Sequence, residues 1–64
     1  MWTVVYMSQT ADEAEKIRCM MEKENILVRK RIVDNDEREG LYYLILVPSR
    51  EVPAAHGLII DAEL

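Results

Sequence analysis

"LYYLILV", residues 41 to 47, is the stretch on which the fold turns. It contains no charged residue and no turn former, so it does not alternate between polar and apolar as a half-solvated strand does. Leu41, Tyr43, Ile45 and Val47 would face one side of a sheet, and Tyr42, Leu44 and Leu46 the other. A strand apolar on both faces belongs in the middle of a sheet, so its neighbours in sequence have to supply strands for both of its edges.

The nearest neighbour lies just upstream. "VDNDEREG", residues 33 to 40, has six charged or amide-bearing residues out of eight and ends on Gly40. It reads as a solvated hairpin tip. Before it, "ILVRKRIV", residues 26 to 33, reads as a strand antiparallel to 41–47. Arg29, Lys30 and Arg31 in its middle suit an edge strand, where charge discourages edge-to-edge aggregation. Further upstream, "WTVVYM", Trp2 to Met7, is rich in β-branched and aromatic residues and reads as another strand.

Between these two strands the spacing predicts a helix from about Ala11 to Glu24. Thr10 with Glu13 fits a capping box. Asp12 and Glu13 suit the positive end of the helix dipole. Ala14, Ile17 and Met21 form a buried stripe, with Met20 at its border. Asn25 can adopt the left-handed conformation that ends a helix. Strands joined through a helix run parallel with a right-handed crossover. The simplest sheet therefore has the order 1-3-2, a ferredoxin-like split β-α-β.

After Pro48, Ser49 can cap a terminal helix with Val52, Ala55 and Ile59 on one face, giving βαββα. Pro53 and Gly57 weaken that helix, and a short fourth strand at 58–60 is an open alternative. The whole chain, 1–64, is expected to form one α+β domain. Two features of it ask for a partner. "WTVVYM" would be an uncharged edge, and helices can cover only one face of a sheet whose central strand is apolar on both.

The bulk numbers narrow the function classes. A chain of 64 residues buries only about 60% of the surface its unfolded form exposes, so extra support is common in domains of this size. Cys19 is the only cysteine and His56 the only histidine, which excludes an internal disulfide and leaves a zinc site short of ligands. Oligomerisation is the remaining support. A net charge of −4 repels phosphate backbones, so nucleic acid is not the expected partner. No run of about 18 apolar residues is present to span a membrane. "MWTVVYM" carries no basic leader or cleavage site, and with a lone thiol the expected compartment is the cytoplasm.

Candidate chemistry is sparse. Read as a calcium loop from Asp34, the hairpin supplies Asp36 at position 3. It then fails, with Arg38 at position 5, Glu39 at 6 and Ile45 at 12. His56 has no nucleophile beside it. Cys19 lies opposite the buried stripe on the helical wheel and is expected to be an exposed thiol; Lys16 and Lys23 favour its thiolate, while Glu15 and Glu22 oppose it. "REGLYYLILV" loosely matches the aromatic strand of an RNA-recognition sheet, with Arg29 and Arg31 beside Tyr42, but Leu41 and Leu44 stand where aromatics are wanted. The only glycines are Gly40 and Gly57, so no phosphate-cradling loop exists. No cofactor and no catalysis are expected.

The opening "MWTVVYM", the helix "ADEAEKIRCMMEKENI", the strand "ILVRKRIV" and the run "YYLILVPSREV" together carry a resemblance over nearly the whole chain. They are similar to a small bacterial family of prokaryotic signal-transducing proteins, a domain of unknown function with a PII-like, ferredoxin-like core. The resemblance implies a regulatory module that works by protein contact. It implies that the loop holding Asp34, Asp36, Glu37 and Arg38 touches a partner. The residues alone point to Trp2, Val4 and Tyr42 as a self-association surface of a dimer or higher oligomer. Two further readings stay open, a small-ligand sensor with its site between subunits and a single-stranded RNA binder using Arg29, Arg31 and Tyr42.

Overall fold

The computed structural model describes residues 1–35 and 40–62, without the side chain of Asn35. The order of elements is β1 (Trp2–Ser8), α1 (Ala11–Lys23), β2 (Arg29–Asn35), β3 (Gly40–Pro48), a 3-10 turn (Ser49–Glu51) and α2 (Val52–Asp61). β3 is the central strand of a three-stranded sheet in the order β1-β3-β2. It is antiparallel to both neighbours. The chain is thus α+β, βαββα, with the ferredoxin-like arrangement expected from the apolar run 41–47.

The turn from β1 into α1 is built by hydroxyls. Thr10 caps the helix, its Oγ1 accepting from the Glu13 amide at 3.3 Å. The reciprocal half of the expected capping box does not form. The Thr10 amide instead donates to Oγ of buried Ser8 at 3.1 Å, and the Glu13 carboxylate accepts the Tyr6 hydroxyl. The far end of α1 closes as a Schellman motif. Asn25 is left-handed at φ 61°. The Asn25 amide bonds the Glu22 carbonyl at 3.0 Å, and the Ile26 amide bonds the Met21 carbonyl at 3.1 Å. Ile26 is therefore committed to the helix end, and β2 begins at Arg29 rather than at residue 26.

The core lies between one face of the sheet and the helices. Ala14, Ile17 and Met21 of α1 meet Ile45 and Val47 of β3, with Ile26 and with Ala55 of α2. Val5, Tyr6, Tyr43, Val52, Leu58 and Ile59 pack around this cluster. β1 carries a bulge at Val5, because Val4 pairs with Leu46 while Tyr6 pairs with Ile45. The extra residue lets both Val5 and Tyr6 reach the helix side.

Two expectations about the C-terminal segment are corrected. The fourth strand at 58–60 is not formed, since α2 runs on through Gly57 to Asp61. Pro53 sits in the first turn of α2, where its missing amide costs nothing. Burial of Ala55 and packing of Leu58 and Ile59 on the core hold the helix beyond the glycine. Ser49 does not cap α2 either. Its amide donates to the Met1 carbonyl at 2.8 Å, and its Oγ lies 2.8 Å from Thr3 Oγ1. It ties the end of β3 to the start of β1.

Candidate functional site

The helices occupy one side of the sheet, and the register shows which residues remain on the other. Directly paired residues in an antiparallel ladder share a face. From β3, Tyr42, Leu44, Leu46 and Pro48 face away from the core. β1 adds Trp2 opposite Pro48, Val4 opposite Leu46 and Met7 opposite Leu44. β2 adds Arg29 opposite Leu46, Arg31 opposite Leu44 and Val33 opposite Tyr42. Val4 is 47% exposed and Met7 59%. The residues read from sequence as a self-association surface, Trp2, Val4 and Tyr42, thus lie on a single face.

The charge on this face has one sign. Among the described residues its only ionic side chains are Arg29 and Arg31, both on β2. Arg29 reaches across the sheet and places its guanidinium 4.5 Å from the Trp2 ring centroid, a cation–π contact. Trp2, Arg29, Lys30, Arg31 and Leu46 line a shallow depression at this end. Nothing in the sequence signals the Arg29–Trp2 pairing. The two residues are far apart in the chain, and only the register brings them to one end of the sheet.

Among the described residues, the acids of α1 lie on the opposite side. On α1, Arg18 clasps Glu15 through Nε at 3.0 Å and Nη2 at 2.6 Å, and reaches Glu22 through Nη1 at 2.5 Å. Lys30, which faces the helices, adds a 3.3 Å bond to Glu15. The Arg18 guanidinium, with Lys30 as the lesser cause, holds the Glu15 carboxyl down at about 2. The Glu13 carboxylate beside Tyr6 pushes the phenol above its ordinary value, with burial adding to the shift. These contacts lie on one layer, beside two open depressions, one lined by Arg18, Cys19, Glu22 and Lys23 and the other by Tyr6, Thr10, Asp12, Glu13 and Lys16.

The other singled-out residues are scattered. Cys19 is half-buried rather than fully exposed, because its sulfur lies 3.6 Å from Glu15 Oε1 and 3.6 Å from Arg18 Nη2. The helical wheel sets it opposite the buried stripe but carries no information on these long neighbours, which fold over it. His56 is exposed on α2. Asp34 is exposed near the end of β2, while Asp36, Glu37 and Arg38 lie outside the described residues. Among the described residues no group of three His, Cys, Asp or Glu side chains could hold a metal ion. No helix there is long and apolar enough to cross a membrane.

Comparison of the chain with protein-family models, with curated proteins and with solved structures finds no match.

Proposed function

We propose that this protein is a non-catalytic regulatory module of bacterial signal transduction that acts in the cytoplasm through protein–protein contact. One observation carries the reading: the helix-free face of the sheet is apolar along β1 and β3, free of acid among its described residues, and edged by arginine on β2 alone. Exposed apolar faces of this kind mark contact surfaces in soluble proteins. The resemblance to the prokaryotic signal-transducing family supports the regulatory role, and by that resemblance the loop with Asp34, Asp36, Glu37 and Arg38 is a second contact point. The experiment is affinity capture from native extract with wild type beside Val4→Lys. A protein retained by wild type and lost from the variant supports the reading. Identical captures by both would sink it.

A second reading, a ligand sensor with its site between subunits, draws on the depression lined by Trp2, Arg29, Lys30, Arg31 and Leu46. An aromatic ring beside the side chains of Arg29 and Arg31 suits a small anion with a flat group, while the Lys30 ammonium is turned to Glu15 on the helix side. Native mass spectrometry of freshly purified protein, searched for a co-purifying small molecule, tests it. The single-stranded RNA reading is weaker. Trp2 and Tyr42 stand at opposite ends of the face, six residues apart along β3 from Pro48 to Tyr42, or about 20 Å. Aliphatic side chains fill the space between them, where a stacking platform needs aromatics.

A further inference from the structure

We propose that the occupant of the helix-free face is a second copy of this chain, packed sheet against sheet about a twofold axis parallel to β3. The inference rests on reading this face as the contact surface, and adds which molecule covers it and in what orientation.

Three observations lead there. The first concerns the alternative route through the edge of β1. That edge is uncharged, but the bulge at Val5 breaks its register, and bulges twist an edge away from further pairing. The flat apolar surface is the face, not the edge. The second is charge. The chain has a net charge of −4, so most pairs of surfaces would bring acids together. The helix-free face has none among its described residues, and meeting through it leaves the acidic α1 layers on the two outer sides. A heterologous contact, this face against another copy's acidic α1, closes only if its rotation completes a ring and otherwise builds filaments. A twofold face-to-face contact closes.

The third is the placement of the arginines on one edge only. With the axis parallel to β3, rotation carries β1 of one copy over β2 of the other. Arg29 and Arg31 then meet the uncharged Trp2, Val4 and Met7. Sheets pack about 10 Å apart, and β2 of one copy lies two strand spacings sideways from β2 of the other, so the arginine strands stay about 14 Å apart. With the axis perpendicular to the strands, β2 would lie on β2 and four arginines would be buried together. The first arrangement is the aligned packing of β-sandwiches. Its size sets its strength. Three strands about 4.8 Å apart and seven residues of about 3.4 Å each make a face of about 340 Å² in plan, below the usual 800 Å² per partner. The dimer is therefore a weak one that exchanges in the micromolar range.

Sedimentation equilibrium from about 1 to 100 µM tests it, with circular dichroism confirming that each variant is folded. The expected result is a monomer–dimer equilibrium in wild type. Val4→Lys and, as an independent variant at a more exposed site, Met7→Lys should each weaken it at least tenfold. Ile60→Lys on α2, where Ile60 is 73% exposed, should leave it unchanged. The axis is read by thiol pairing in a Cys19→Ser background. Val4 and Arg29 both stand level with Leu46, so a mixture of Val4→Cys and Arg29→Cys chains should form the mixed disulfide ahead of either homodisulfide. Wild type remaining monomeric at 100 µM overturns the proposal, as does a dimer that survives both lysine variants. A Val4→Cys homodisulfide that outruns the mixed one overturns the axis. A monomeric wild type whose Val4 surface still captures another protein would defeat this inference and leave the proposed function standing.

Discussion

The Arg29 guanidinium lies 4.5 Å from the centre of the Trp2 ring, joining the two outer strands of the sheet across β3. β1 and β2 share no ladder, and this contact ties them directly on the helix-free side. An exposed cation–π pair is worth about 0.5–1 kcal/mol. At concentrations where the chain is monomeric, Arg29→Ala should cost that much in urea denaturation. It should also make Trp2, the only tryptophan, more accessible to acrylamide. Unchanged fluorescence quenching would show that the stack does not persist in solution.

The left-handed Asn25 sets the direction in which the chain leaves α1 for β2. Alanine at this position would have to hold φ near 61° against its own Cβ, at a cost of about 1–2 kcal/mol. Asn25→Ala should be destabilised by roughly that amount, whereas Asn25→Gly should equal wild type or exceed it slightly. Equal stability of the alanine and glycine variants in chemical denaturation would contradict the Schellman closure.

Gly57 is the weak point of α2. It has ordinary negative φ, and a Cβ added there meets nothing within 4 Å. Glycine in a helix interior costs about 1 kcal/mol relative to alanine. Gly57→Ala should therefore stabilise the protein by about 0.5–1 kcal/mol, raising Tm by about 4–8 °C per kcal/mol in a domain of this size. A lower Tm in a thermal scan would mean that the helix needs the glycine for a reason outside its local geometry.

The pH dependence at the acid end should involve Glu15. Its carboxyl is held at about 2 in the folded chain, against 4.5 ordinarily. A carboxyl whose value is depressed on folding stabilises the fold above its ordinary value and loses that contribution as the proton is taken up. The loss should therefore run from about pH 4.5 down through about 2. Because the group is partly exposed, salt should weaken the effect. An NMR titration should find Glu15 near 2 in wild type, and higher in Arg18→Ala. Titration at the ordinary carboxylate value in wild type would show that the Arg18 clasp is not populated.

Local chemistry determined more of this fold than of its function. The run 41–47 could be satisfied only in the middle of a sheet, the polar hairpin made its neighbour antiparallel, and the stripe Ala14, Ile17 and Met21 fixed which side of α1 is buried. These features depend on residue period and burial, which sequence carries directly. The terminal helix was ambiguous because Pro53 and Gly57 are local breakers. Ala55, Leu58 and Ile59 outweighed them through contacts with a core that exists only once the sheet has formed. The capping box was half right, since Tyr6 and Ser8 compete for the same groups from another element. Register decided the rest. The bulge at Val5 is hidden inside a uniformly apolar run, yet it determines that Val4 and Met7 face away from the helices while both Val5 and Tyr6 face toward them. Only the antiparallel pairing through β3 could bring Arg29 to Trp2 and separate the arginines from the acidic helix, because strand alternation assigns a residue to a side, and tertiary structure decides what lies on each side.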